Sequence, residues 1–438
     1  MDVMAQTEQE TPYQLNPACR MVFSSSQYDR EHSYFSGYYY PSPLRNGKLL
    51  CHRISFDGRD VTADDRCEVG YWDLATNQFV VCGETHAFNW QQGAMLQWLP
   101  DGKRFVFNAR QDDHFVSVID DLETQASRVL PYPVCALHPS GKFALAVNFE
   151  HLAFCREGYA YKGVEHKQWD VGIHPQDGIF RVDLETGEGR LLVSTEAMAA
   201  IKPRLDMKGC YHWLEHMMWN PSGTRFAFLH RWAPGDPSGA RHVTRLFTAN
   251  ADGTNVFMFP DVGFYSHFSW HDENTLTVWS ARPEKSLRAL FLPGAPLRRW
   301  LKPAYVRLKK SLPKKFQTGS DAFQASVEYT DRTPLWSLVG PGLLTRNGHA
   351  TWTKNGRYLL SDTYEDEDAR RHLFLYDSLR RELLRIGDFV SPFNRNSFRC
   401  DLHPRFDETQ TRVIIDSAHE GQRHVFVIDI GALVLRQH

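Results

Sequence analysis

The sequence has no run approaching the roughly 20 consecutive apolar residues that a membrane-spanning helix needs. Its polar, acidic beginning (Met1, Asp2, Val3, Met4, Ala5) lacks the basic and apolar regions of a secretory signal. No CxxC pair occurs among Cys19, Cys51, Cys67, Cys82, Cys135, Cys155, Cys210 and Cys400, which argues against a zinc ribbon or a tight disulfide framework. Reduced thiols and a cytoplasmic location are expected. Net charge is almost absent, Lys+Arg 50 against Asp+Glu 52, so no basic field points to nucleic acid and no acidic run to a disordered tail. No GxGxxG or GxxxxGK[ST] stretch opens a helix and no GxSxG elbow appears, leaving dinucleotide, P-loop and serine-hydrolase readings without support.

Against these absences stand 438 residues, 42% hydrophobic and 13% aromatic, enough to bury a large core. An apolar run, a Pro-Asp/Ser-Gly turn and a second apolar run recur at 95–108, 134–147 and 217–229, around Pro100, Pro139 and Pro221. Two alternating runs joined by a glycine turn form a hairpin. Each is followed by a second pair of runs, at 115–130, 178–193 and 245–259, pivoting on Asp-Leu-Glu-Thr or Ala-Asp-Gly. The unit returns at 352–386 and 406–435, more weakly at 268–292, and opens at 49–81, for a total of seven. The expected fold is therefore all-β, a seven-bladed β-propeller of four-stranded antiparallel blades, because closing the ring hides strand edges. Residues 1–20 are expected as an N-terminal leader and 21–438 as a single propeller domain. The tyrosine-rich stretch 27–43 is expected to lie over it with little regular structure. Insertions are expected at 150–176, rich in His, Tyr and Gly, and at 294–342, between the fifth and sixth blades; loops of that length are usually functional.

Aligning the units on Trp219, Trp270, Trp352 and Phe406 places His216, His267, His349 and His403 each three residues earlier. In a propeller, equivalent inner-strand positions converge on the axis, so the four imidazoles and Cys400 are expected to meet. Imidazole suits Zn²⁺ or Mn²⁺, and a cysteine sulfur tilts the choice towards Zn²⁺. Any one of these histidines taken alone is more often a hydrogen-bonded structural residue; the shared register is what favours a site. Asn89, Gln91 and Gln92 precede the inner strand of the second blade and offer amides to sugar hydroxyls, or simply satisfy a turn. His230, Arg231 and Trp232, with Arg245 nearby, supply a guanidinium for a carboxylate and an indole for a pyranose face, or alternatively a blade-edge ion pair. Asp362, Tyr364, Asp416 and His419 occupy corresponding strand ends in the last two blades, where Asp more often caps a turn. The stretch 297–316 packs eight basic residues among apolar ones, suited to an anionic partner or membrane surface, or to a solvated loop.

At these residues, over about 85–433, the chain resembles the β-propeller polysaccharide lyases of the oligogalacturonate lyase and ulvan lyase type, whose repeats are similar to TolB-like propellers. The resemblance implies a central metal held by histidines and a glutamine, with His216 matching the family's base and His267 a metal ligand. The family's Gln-x-x-His-x-His run falls on Cys400 to Arg405, where Cys400 stands for the glutamine, His403 for the first histidine and Arg405 for the second. Either the metal is held differently, with His349 and Cys400 completing the set, or the site has lost its metal chemistry; a Cys-containing, mainly structural zinc and a uronate-neutralising Arg405 would be closer to the ulvan lyase pattern.

The function expected is a lyase that cleaves uronic-acid-containing saccharides by β-elimination. Its C5 proton is weakly acidic, so the adjacent carboxylate must be neutralised, by a metal or by Arg405 or Arg231, and a base, His216, placed on the proton. His230 or Tyr364 would protonate the leaving oxygen. The rival is a non-catalytic carbohydrate- or protein-binding propeller with a structural metal. A glycoside hydrolase needs two facing carboxylates, and no acidic residue shares the histidines' register.

Overall fold

The computed structural model describes residues 11–38, 41–166, 172–234, 242–283, 324–393 and 397–435. In it the alternating runs are antiparallel strands grouped into seven sheets, the blades of a propeller. Blade 2 is typical: Gln97–Trp98 lies innermost, followed outward by Arg104–Gln111, His114–Asp121 and Ser127–Leu130. The recurring Asp-Leu-Glu-Thr motif caps the outer hairpin turn. Asp121 Oδ1 accepts the amides of Glu123 and Thr124 at 2.9 and 3.0 Å, and Asp183 does the same for Glu185 and Thr186.

The aromatic register has a mechanical cause. The indole of each inner-strand tryptophan reaches back to the preceding blade: Trp98 Nε1 donates to the Pro43 carbonyl at 2.9 Å, Trp219 to Ala136 at 3.2 Å, Trp270 to Met218 at 3.1 Å, and Trp352 to the Thr277 hydroxyl at 2.9 Å. A large apolar body with one polar tip suits a blade interface, being buried except where it makes its hydrogen bond. Between blades 4 and 5 the seam is further filled by Leu229, Leu246, Phe268, Val278 and Tyr329, all at most 1% exposed, and each such side chain contributes about 1.5–3 kcal/mol on burial.

The N-terminal region is woven into the ring. Part of the expected leader is strand: Tyr13–Leu15 adds a fifth strand to blade 6 by pairing with Glu382–Val390. Arg20–Ser24 is the outermost strand of blade 7 and pairs with His424–Asp429, so the two ends of the chain close the propeller. The tyrosine-rich stretch is also partly regular. Ser33–Phe35 and Leu44–Arg45 both pair with Lys48–Ile54 as two halves of the blade 1 inner strand, and Ser36, Gly37 and Tyr38 lead off the first half towards the axis.

The second insertion sits elsewhere than its spacing implied. Gln324–Thr330 and Trp336–Leu338 are the third and fourth strands of blade 5, pairing onward from Thr275–Ala281. The long segment therefore lies inside blade 5, between its second and third strands, and not between blades 5 and 6; a hairpin split by more than forty residues leaves no local turn signal. The basic stretch 297–316 falls outside the described residues. No helix among those described is long and apolar enough to cross a membrane.

Candidate functional site

Three residues before the aromatic pin, the inner strands turn towards the axis. His216 and His403 have φ of 55° and 44°, as does Met95, their counterpart in blade 2, at 53°. The ladder slips between Glu215 and Met218 in blade 4 and between Tyr265 and Phe268 in blade 5. Irregularities of this kind re-aim a side chain out of the pleat, here at His216, His267 and His403, and His349 joins them at one focus. The ring of Tyr38 stands among all four, its centroid 6.1 Å from His216, 5.7 Å from His267, 4.9 Å from His349 and 5.1 Å from His403.

Tyr38 is held there by a clamp. Asp416 accepts the Ser36 and Gly37 amides at 2.8 and 3.0 Å, Arg405 binds the Gly37 carbonyl and Ser36 hydroxyl, and the Tyr38 amide donates to Gln91 at 2.6 Å. Gly37 has φ +80°, and a Cβ there would lie 2.8 Å from the Gln92 backbone, so only glycine fits. Beneath Tyr38 an axial cavity of about 310 Å³ runs between Met95, Gln97, Met217 and Trp219.

On the other side of Tyr38 the groups are polar. His349 Nδ1 lies 3.0 Å from both oxygens of Asp362, and His267 Nδ1 donates to Asn347 Oδ1 at 3.1 Å. His403 Nδ1 is 3.9 Å from Asp416, and its Nε2 is 3.9 Å from Asp401. Protons held on Nδ1 by Asp362 and Asn347 leave the Nε2 lone pairs available, the arrangement usual for metal-ligating histidines. His349, Asp401 and His403 present one donor atom each within 4.8 Å of one another. Two imidazoles and a carboxylate fit a divalent transition metal. Burial, reinforced by His349, pushes the His403 imidazole down to about 4 and holds His267 well below its usual range, so both rings are neutral.

Guanidiniums and carboxylates surround this group. Asp401 takes Arg371 Nη1 at 2.5 Å and Arg399 Nε at 2.8 Å; burial works to raise its carboxyl, and these cations outweigh it, holding it far below the usual range. Glu215, beside His216 at 3.4 Å, is paired with Arg231 and, at 3.2 Å, with Arg156, which likewise overcome burial and keep it ionised. Burial lowers the Arg231 guanidinium to about 10 against the pull of Glu215. Arg371 also binds Glu365 at 2.7 Å. Tyr364 sits near His349 and His267, at 5.9 and 6.1 Å between rings.

The structure thus brings together His216, His267, His349, His403, Arg231 and Tyr364. Other residues singled out from the sequence stand apart from that group. Cys400 is buried, its thiol pushed up to about 12 mainly by desolvation, and it is outside the metal-competent set. His230 and Trp232 lie on the opposite face of their strand from Arg231, stacked with His212. Arg245 binds the carbonyls of Ile201 and Lys202 and the Asp261 carboxylate. Asn89 caps its own turn through the Gln91 and Gln92 amides, Gln91 Nε2 reaches the Arg399 carbonyl at 3.1 Å, and Gln92 lines the axial cavity. Arg405 is committed to the clamp. Residues not found from sequence are Tyr38, Arg156, Tyr159, Glu215, Arg371 and Asp401. Only Asp401 carried a signal, being two residues before His403 in the fourth repeat.

Fold and site together define a seven-bladed propeller with a buried, histidine-centred polar site on its axis. No protein-family profile matches the sequence, and no curated protein does. Among solved structures the chain is similar to oligogalacturonate lyase from Vibrio parahaemolyticus, 15% identical over 95% of this chain and 96% of that one, with a TM-score of 0.56. It is equally similar to an oligogalacturonate lyase in complex with manganese, 16% identical over 91% and 90%, TM-score 0.56. The propeller domain of the trilobed protease from Pyrococcus furiosus also matches, 12% identical over 92% and 94%, TM-score 0.48. At these identities the likeness is one of fold, and it agrees with the resemblance read from the sequence.

Proposed function

We propose that the protein is a lyase that cleaves uronic-acid-containing oligosaccharides by β-elimination at the axial site, with a divalent metal held by His349, His403 and Asp401. The observation that carries this reading is the orientation of His349 and His267 by Asp362 and Asn347 around a focus beside Asp401. A manganese complex of a structure with the same fold supports it. When bound, a divalent ion supplies positive charge next to the substrate carboxylate and so makes the C5 proton easier to remove. The charge balance favours an acidic ligand. The four guanidiniums of Arg156, Arg231, Arg371 and Arg399 are matched by Glu215, Glu365, Asp401 and Asp362, so a cation added to this balanced set leaves an excess of positive charge for a carboxylate.

His216 is the base in this reading. Burial lowers its imidazole below the ordinary histidine value, so it is neutral at pH 7 with Glu215 beside Nδ1 and Nε2 available for a proton. Arg231 and Arg156 fix Glu215 and thereby the ring. The experiment is incubation of the full chain, with Mn²⁺ and with Zn²⁺, on a panel of uronic-acid oligosaccharides while following the ultraviolet absorbance of the unsaturated uronate. Metal binding with no such product on any member favours instead a saccharide-binding propeller with a structural metal.

A further inference from the structure

The axial cavity below Tyr38 differs in chemistry from the histidine group above it. Its wall is built largely from Met95, Met217, Met218, Leu152, Trp219 and Trp270. The tryptophans offer it apolar ring surface, because their indole N–H groups are spent on carbonyls of the neighbouring blades. Methionine thioethers adapt to the shape of what they enclose. The polar side chains on the wall are mostly committed elsewhere. Gln97 Nε2 donates to the carbonyls of Met95 and Cys135 at 3.1 and 3.0 Å, and Asn220 Nδ2 donates to Thr224 Oγ1 and Glu273 Oε2 at 3.1 and 2.9 Å. No free charge faces the space: Glu215 is paired with Arg231 and Arg156, and His216 is neutral.

One polar group is left over. Gln92 lines the cavity and is only 7% exposed, and its side-chain amide has no hydrogen-bond partner among the described residues. The backbone that carries it is fixed, its N–H donating to Asn89 Oδ1 at 2.8 Å and its carbonyl accepting from the Met95 amide at 3.3 Å. A buried amide without a partner is costly, and a ligand that supplies the missing bond recovers that cost. Pro139 and Pro221, exposed in the turns of blades 3 and 4, stand at the rim and mark the way in, at the end of the inner strands away from the histidines.

Volume sets the size of the occupant. An apolar cavity of about 150 Å³ takes benzene, so about 310 Å³ accommodates a bicyclic ring system. An ion is disfavoured, since nothing on the wall would compensate its lost hydration. We propose that this cavity is a second binding site, for a small neutral molecule of bicyclic size, mainly apolar and carrying one hydrogen-bonding group that pairs with Gln92. Tyr38 forms its roof, so the occupant bears on the same ring that the four axial histidines surround.

The test is equilibrium dialysis of the full chain against indole, 1-methylindole and indole-2-carboxylate at pH 7. Indole should bind saturably at one site per chain, and the carboxylate at least about tenfold more weakly. Gln92→Leu should weaken indole roughly 2–10-fold and leave 1-methylindole, which has no N–H to offer, unchanged or tighter. Leu152→Trp fills the cavity and should abolish binding of both. Circular dichroism and urea denaturation confirm that the variants are folded; should Leu152→Trp fail to fold, the indole and 1-methylindole comparison in Gln92→Leu decides alone. Absence of saturable indole binding overturns the site, leaving a cavity that holds water only. Wild-type indole affinity in Leu152→Trp places the binding elsewhere and overturns it too. Equal loss of indole and 1-methylindole in Gln92→Leu refutes the pairing with the amide, and tighter binding of the carboxylate refutes the neutral class.

Discussion

Asp362→Asn isolates the contribution of the histidine orientation to metal binding. Asp362 is fully buried; its Oδ1 accepts the His349 amide at 2.6 Å, and both carboxylate oxygens lie 3.0 Å from His349 Nδ1. Asparagine keeps an oxygen for the backbone amide and for Nδ1–H, so geometry survives while the charge that makes Nε2 more basic is lost. Removing such a partner weakens metal binding about 10–100-fold, which is about 1.4–2.7 kcal/mol. Asp362→Ala goes further and strands the buried His349 amide, adding about 1–3 kcal/mol of lost stability. Metal-stripped proteins would be dialysed against Mn²⁺ and Zn²⁺ and their metal content measured, with urea denaturation of the metal-free forms alongside. Asp362→Asn should show weaker binding at an unchanged denaturation midpoint, and Asp362→Ala a loss of both. Wild-type affinity for either ion in Asp362→Asn would refute the view that His349 presents Nε2 to a metal.

Other substitutions divide the site by role. His403→Ala should lose metal and stability together, while His216→Ala should keep its metal and lose about 10²–10⁴-fold in turnover; equal metal loss in both, measured by elemental analysis, would put His216 in the metal group. Asp177, beside His151 and bonded to Thr195 at 3.0 Å, is raised from 3.8 to about 7 by burial. Its folded pKa lies above the unfolded one, so its contribution to stability is full below pH 3.8 and is lost as pH rises through 7, at about 1.4 kcal/mol per pH unit. Asp177→Asn should flatten the fall of the urea midpoint across that window, and an unchanged slope would show that the carboxyl is already ionised there. All eight cysteines are free thiols, so thiol titration of the denatured, unreduced chain should find eight.

The blades were legible because their signals are local: a proline-glycine turn, an Asp cap and a tryptophan pin lie within a few residues of the strands they organise. The histidine register was legible for the same reason, since it is counted three residues back from the aromatic of each of four blades. What failed was adjacency. His230, Arg231 and Trp232 are consecutive, but side chains alternate along a strand, so Arg231 reaches Glu215 while its neighbours stack with His212 on the opposite face of the same blade. Arg156, Tyr159 and Tyr38 arrive from an insertion and from a break in an edge strand, and no periodicity announces where such segments land. Arg405 reads from the sequence as a uronate-neutralising cation; in the structure it is buried and anchors residues almost 370 positions earlier.

That anchor sets a constraint on how the chain acquires its site. Ser36 and Gly37 meet Asp416 and Arg405 across nearly the whole length of the chain, and Arg20–Ser24 waits for His424–Asp429. Contacts so distant along the sequence form late, after the loop-closure entropy of everything between them has been overcome. During synthesis five or six blades can therefore stack, four of them pinned to their predecessors by a tryptophan, while Tyr38 still lacks the clamp that centres it. The axial chemistry is absent from any nascent intermediate and appears in one step when the last blade closes, so a ribosome-bound or C-terminally truncated chain would hold most of the core and none of the finished centre.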